Sequence, residues 1–162
     1  WDSQKLFENL CLEAFQAGLS WITILRKREN FRAAFAQFTP ETLAQWGEGD
    51  VARLLQDEGI IRHRGKIEAT LRNAKAYLTL EAEVGFAQFI WGFVDLGPQI
   101  NRPRTLADVP VQTETSRALS KSLKSAGFKF CGPTTVYAFM QASGLVNDHL
   151  QSCAFASKGT TP

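Results

Sequence analysis

Apolar residues along the chain recur mainly at intervals of three and four, the spacing that places side chains on one face of an α-helix. The clearest case is the set Phe86, Phe89, Ile90, Phe93 and Val94, which follows this spacing over two turns and predicts a helix facing the core. No stretch alternates like a strand, and no segment repeats with a fixed period. The pattern predicts an all-α protein of about seven or eight helices joined by short turns.

Residues that favour helix ends divide this pattern into segments. Ser, Asp or Thr stands where an N-cap is needed, and Pro or Gly stands at several starts and stops. The predicted helices cover residues 4–17, 20 onward, 40–47, 51–58, 67–78, 86–94, 113–127 and 132–144. Three prolines between residues 97 and 111 predict a crossing loop rather than a domain boundary, because no low-complexity linker accompanies them.

Composition places the chain among globular proteins. Its 162 residues are 44% hydrophobic and 21% charged, which predicts a single domain over residues 1–162. The net charge of +2 permits a nucleic-acid partner without requiring one. Three cysteines, an odd and sparse set, argue against a disulfide framework. With neither a signal peptide nor an apolar span of 18 residues, we expect a cytoplasmic protein with no membrane contact.

One carboxylate, Glu13, stands inside the apolar run LCLEAFQAGLSWITIL at residues 10–25. On a helix it shares a face with Leu6, Leu10 and Ala17, and burying a carboxylate there is costly unless a partner compensates for it. Two interpretations remain open. Glu13 either pairs with a nearby arginine or sits at the rim of the core, or it is the perturbed acid of a functional pocket.

The helix that contains Glu13 is followed at once by a bend. Gly18 is a typical residue just beyond a helix, Ser20 a typical N-cap for the next one, and Trp21 follows directly. The acid, the bend and the indole are therefore expected to lie close together.

The segment DEGIIRHRGK at residues 57–66 predicts a short hairpin between two helices. Gly59 is expected to permit a tight exit from the first helix, and Ile60 and Ile61 to pin the hairpin to the core. Basic residues beside a helix N-terminus favour phosphate as a ligand. The candidate phosphate-binding residues are Gly59, Ile61, Arg62, His63, Arg64 and Lys66. A helix-hairpin-helix motif is one interpretation, and an ordinary hairpin with a solvated basic tip, where His63 is a surface residue, is the other.

His149 and Cys153 are separated by three residues, which on a helix places both on one face as two ligands of a tetrahedral zinc. Only half of such a site is present, so spacing alone leaves the zinc open. The motifs of P-loop, Rossmann, α/β-hydrolase and zinc-protease sites are absent from the sequence.

Taken together, residues 10–30, 58–67 and 127–149 and the His149/Cys153 pair strongly resemble type I 3-methyladenine DNA glycosylases. The resemblance runs in order from Asp2 to Cys153. It implies a helix-hairpin-helix glycosylase fold with a small terminal zinc-binding subdomain that is incomplete in this chain. It also implies an enzyme that flips N3-methyladenine out of alkylated double-stranded DNA and hydrolyses its N-glycosidic bond, leaving an abasic site and free 3-methyladenine.

The resemblance also assigns roles to residues. Glu13 matches the acid that recognises the base, Trp21 the aromatic that stacks on it, and Gly18 with Leu19 the wedge that faces the gap in the duplex. The 57–66 hairpin matches the phosphate grip. His149 and Cys153 match two zinc ligands, and in the family a Cys and a His from a preceding segment complete the set.

Two further expectations concern the reaction and the assembly. Because no Asp follows the hairpin at a plausible distance to activate water, we expect a monofunctional hydrolase. We also expect a monomer. The rival hypothesis is a helix-hairpin-helix module that binds DNA without catalysis.

Overall fold

The computed structural model describes residues 1–154 and 156, and this part of the chain is mostly helical with two strands of two residues each, consistent with the predicted all-α fold. Short 3₁₀ turns lie at Ala36–Phe38, Gly92–Val94 and Leu106–Asp108. In the same residues none of the helices is both long and apolar enough to span a membrane. The α-helices are α1 (Ser3–Gln16), α2 (Trp21–Ala34), α3 (Pro40–Leu43), α4 (Glu48–Leu54), α5 (Arg64–Glu83), α6 (Phe86–Trp91), α7 (Glu114–Ser125) and α8 (Pro133–Ala142).

Helix α1 lies at the centre of the molecule and packs against α2, α5, α6 and α8. The ring of Phe15 on α1 is 4.8 Å, centroid to centroid, from Phe31 on α2 and 5.6 Å from Phe35, the C-cap of α2. All three rings are fully buried. Buried aromatic rings contribute large apolar areas, so this cluster fixes the angle between α1 and α2.

Several predicted helix ends are confirmed. Ser20 caps α2 by accepting a hydrogen bond at Oγ from the Thr23 N–H, and Thr113 caps α7. Pro40 and Pro133 each open a helix in the first turn. These boundaries were readable because each depends on residues within one turn of it.

The predicted boundaries between residues 43 and 58 were wrong. Helix α3 ends at Leu43 rather than at Gly47, which is the N-cap of α4. Asp50 lies within α4, where its carboxylate accepts from the Gly47 N–H at 3.1 Å. Helix α4 ends at Leu54, four residues before the predicted end, because the N–H groups of residues 56 and 57 donate to carbonyls only three residues back.

The crossing segment 97–111 contains one strand that the sequence did not reveal. Strand β1 (Gln99–Ile100) pairs in parallel with β2 (Val146–Asn147), with Gln99 opposite Val146. A strand of two residues is too short to show alternation, so only its distant partner defines it. The pairing places the residues after β2 beside α8.

Candidate functional site

The corner between α1 and α2 brings together the acid, the bend and the indole, as the sequence predicted. Gly18 has φ +82°, a left-handed conformation that favours glycine. The Leu19 N–H donates to the Gln16 carbonyl at 2.7 Å, and the Gln16 side chain donates back to the Leu19 carbonyl at 2.9 Å. This closed turn leaves the Leu19 side chain 39% exposed at its tip.

Two adjoining cavities, of about 410 and 350 Å³, open beside this corner. Glu13, Trp21 and Ala142 line both of them. The larger cavity is also lined by residues that sequence reasoning did not assign to a site, namely Gln16 and the α8 residues Ala138 and Gln141. The apolar spacing of α8 indicated only a core helix, and no local signal links α8 to α1.

Glu13 is 4% exposed, and no described residue donates a hydrogen bond to its carboxylate or forms an ion pair with it. The nearby arginines pair with another acid, since Arg28 and Arg32 contact Glu8 through Nε at 3.4 and 2.8 Å. The explanation of Glu13 as half of a structural salt bridge is therefore wrong. Burial without a partner raises the pKa of Glu13 to about 7.

The connection from α4 to α5 is held against α2 and the core. Ile60 is buried and Ile61 partly buried, as predicted. Gly59 does not serve the helix exit, since α4 ends five residues earlier; instead a Cβ there would lie 3.2 Å from the Cβ of Asn30. The Lys27 ammonium donates to the Glu58 carbonyl at 3.2 Å. A side chain at position 59 would therefore crowd Asn30 of α2 and the Asp57 carboxylate, whose Oδ1 would be 3.0 Å from the Cβ.

The basic residues of this connection differ in whether their side chains already bind other groups of the protein. His63 is the N-cap of α5, and its Nδ1 accepts from the Lys66 N–H at 3.1 Å, which leaves Nε2–H as a donor. Arg64 donates to Glu48 at 2.7 Å and to Glu68 at 3.2 Å. Arg62 is exposed and, within residues 1–154, forms no ion pair.

Lys66 does not belong to this exposed basic group. It is 8% exposed, and its Nζ donates to the carbonyls of Phe15 and Ala17 at 3.0 and 2.8 Å. This placement does not support the phosphate contact predicted for Lys66, because the helical period of α5 turns position 66 inward beside Ile67 and Thr70. Desolvation by burial lowers the pKa of its ammonium.

His149 and Cys153 come together, although not on a helix as the sequence suggested. Residues 148–150 have no regular structure and 151–152 form a turn, yet His149 Nδ1 lies 3.8 Å from Cys153 Sγ. Zn–S and Zn–N bonds of about 2.3 and 2.0 Å in a tetrahedral site separate two such ligands by about 3.6 Å. Among the residues described, no group of three or more His, Cys, Asp or Glu forms a metal site.

A family model and a sequence relative both match methyladenine glycosylases. The family model described as methyladenine glycosylase matches residues 1–157. The DNA-3-methyladenine glycosylase 1 of Escherichia coli strain K12 is 58% identical over 94% of this chain and 82% of its own length.

Solved structures agree with this match. A crystal structure of a 3-methyladenine DNA glycosylase I has a TM-score of 0.93 at 57% identity, covering 94% of this chain and 85% of that one. The Staphylococcus aureus 3-methyladenine DNA glycosylase I, solved to show 3-methyladenine recognition, has a TM-score of 0.93 at 41% identity, covering 95% and 82%. The chain therefore belongs to the methyladenine glycosylase family.

Proposed function

We propose that the protein is a monofunctional DNA repair glycosylase, which removes N3-methyladenine from alkylated double-stranded DNA by hydrolysing the N-glycosidic bond. The observation that supports this most strongly is the unpaired, buried Glu13 beside Trp21 in an open cavity. The names of the relatives agree, since each is a 3-methyladenine DNA glycosylase. The products are an abasic site and free 3-methyladenine.

The pocket suits a cationic base. Methylation at N3 gives adenine a positive charge, so the Glu13 carboxylate can accept a hydrogen bond from its amino edge and favour the charge. The Trp21 indole adds stacking and cation–π attraction of roughly 1–3 kcal/mol. These contacts offset part of the few kcal/mol needed to unstack the base. An alkylated base leaves readily, so Glu13 acts by recognising the base more than by transferring a proton.

The surface around the pocket suits DNA. Leu19, exposed on the turn at Gly18, is positioned to fill the gap left by the flipped base. The α4–α5 connection serves as a helix-hairpin-helix phosphate grip, in which Arg62, the His63 Nε2–H and the amides at the start of α5 face the backbone. Gly59, Ile61 and Arg64 shape this grip and Lys66 is not part of it.

A non-catalytic helix-hairpin-helix module is the alternative, and base release separates the two. Incubation with methylated DNA, followed by chromatography of the free bases, is expected to show 3-methyladenine. A folded, intact protein that binds DNA and releases no base would support the alternative instead.

Arg62→Ala is expected to weaken DNA binding about threefold to tenfold for all sequences alike, because Arg62 contacts phosphates and not bases. The slope of log affinity against log salt should become shallower by about 1. Fluorescence anisotropy over a salt series measures both quantities. The control is Arg53→Ala, which removes an equal charge from α4, where Arg53 already contacts Asp50 and the Trp46 ring. Equal losses in the two variants would contradict the phosphate role.

We infer a structural zinc held in part by His149 and Cys153, whose ring nitrogen and sulfur have suitable separation. The resemblance implies that a Cys and a His of a preceding segment complete the site. Elemental analysis of the intact protein should give about one zinc per chain, and Cys153→Ser should lower that value. Cys131→Ala, at a buried core cysteine, should not. Zinc retained in Cys153→Ser would refute the site.

The cytoplasmic location and the monomeric state of the protein remain predictions.

A further inference from the structure

Asp148 is the centre of a side-chain network behind the pocket. It follows β2, and its Oδ2 accepts from the Tyr137 hydroxyl and from Gln141 Nε2 at 2.8 Å. Its Oδ1 accepts from Asn101 Nδ2 at 2.8 Å. Tyr137 and Gln141 are four residues apart on α8, so one face of that helix presents both donors to one carboxylate.

This network fixes the orientation of the Gln141 amide. A carboxylate only accepts hydrogen bonds, so the NH₂ group of Gln141 must face Asp148. The carbonyl oxygen Oε1 is then on the other branch of the planar amide, and no described residue donates to it. Gln141 lines two cavities, the one that contains Glu13 and Trp21 and a neighbouring one that Asp148 and His149 line. A second acceptor is therefore available at the wall of the Glu13 cavity, and the orientation of its amide depends on Asp148.

We propose that Asp148 positions Gln141 so that its Oε1 accepts a hydrogen bond from the exocyclic amino group of the flipped base, and that this contact discriminates methylated adenine from methylated guanine. The proposal rests on the proposed glycosylase function. Adenine has an amino donor on C6, whereas guanine has a carbonyl acceptor there. Two acceptors facing each other repel, so Gln141 is a specificity residue and Asp148 its positioning residue.

Asp148→Asn provides the sharpest test because it should reverse the Gln141 amide. With Asn101 donating to the carboxamide oxygen of the new residue at the place of Oδ1, an NH₂ group replaces Oδ2, and the Tyr137 hydroxyl can accept from it instead of donating. Gln141 must then turn its oxygen toward position 148 and its NH₂ toward the cavity. The ratio of 3-methyladenine to 3-methylguanine release, measured as kcat/KM on methylated DNA, should fall about tenfold or more.

Three further variants separate positioning from general damage. Gln141→Leu, which removes the acceptor, should lower the same ratio. The double variant Asp148→Asn/Gln141→Leu should match Gln141→Leu alone, because Asp148 acts through Gln141. Tyr77→Phe removes the hydroxyl of a buried tyrosine outside the network and should keep the ratio within about twofold. Thermal unfolding of each variant checks that it is folded. If Asp148→Asn does not fold, Gln141→Leu alone still tests the role of the acceptor.

The outcomes are distinguishable. Rates for both bases that fall by one common factor in Asp148→Asn or Gln141→Leu would overturn the specificity role, while the glycosylase function would stand. A further loss in the double variant would overturn the positioning role of Asp148. A wild-type protein that releases neither base would defeat the proposed function itself.

Discussion

Glu13→Gln is expected to lower kcat/KM for 3-methyladenine release on the order of 100-fold. Glutamine keeps the shape and loses the negative charge, and a charge-assisted hydrogen bond to a cationic partner is worth about 2–3 kcal/mol. The pH profile supplies a second measurement. The carboxyl pKa of about 7 predicts that wild-type kcat/KM rises with pH through about 7, as Glu13 ionises, and then levels off. The variant should lose this rise.

Glu13→Gln should also make the protein more stable above pH 7. The folded protein holds the Glu13 proton more tightly than the unfolded chain, so wild-type stability falls as pH rises from the ordinary value of 4.5 to about 7. Because the cavity admits solvent, a gain of about 1–2 kcal/mol is expected at pH 8, vanishing near pH 4. Urea unfolding at both pH values measures it. Glu83→Gln, at an exposed position near the end of α5, is the control. A stability gain there as well would indicate a general charge effect.

Much of the candidate site was predictable because its signals are local. Glu13, the Gly18 bend, the Ser20 cap and Trp21 fall within nine residues, and helix spacing with capping chemistry is enough to bring them together. The hairpin was located from its glycine, paired isoleucines and basic residues for the same reason.

The remaining features depend on contacts between distant parts of the chain. Ala138 and Gln141 reach the pocket from α8, more than a hundred residues after Glu13, and β1 is defined only by its pairing with β2. Lys66 illustrates the same difficulty within a motif. It stands among basic residues in sequence, but the rotation of α5 directs it to the carbonyls that end α1, and composition alone gives no information about that direction.

Lys66→Met is expected to reduce the free energy of unfolding by about 2–4 kcal/mol. The last carbonyls of a helix have no partners within it, and Nζ satisfies those of Phe15 and Ala17 from inside the protein. Methionine has similar length and no donor, so the buried Phe15 carbonyl and the partly buried Ala17 carbonyl both lose a hydrogen bond. Urea unfolding with an unchanged m-value measures the loss. Lys27→Met, which removes one hydrogen bond to the Glu58 carbonyl outside the core, should cost less than about 1 kcal/mol.

The same variant decides between the two roles considered for Lys66. The carbonyls that it binds lie immediately before the Gly18–Leu19 turn, so folded Lys66→Met should release 3-methyladenine more slowly because the wedge is less well held. Its affinity for undamaged DNA should stay within about twofold of wild type, since the proposed phosphate contacts are those of Arg62 and His63. Stability near wild type together with weaker, less salt-dependent DNA binding would instead make Lys66 a phosphate ligand and restore the role that its position among basic residues suggested.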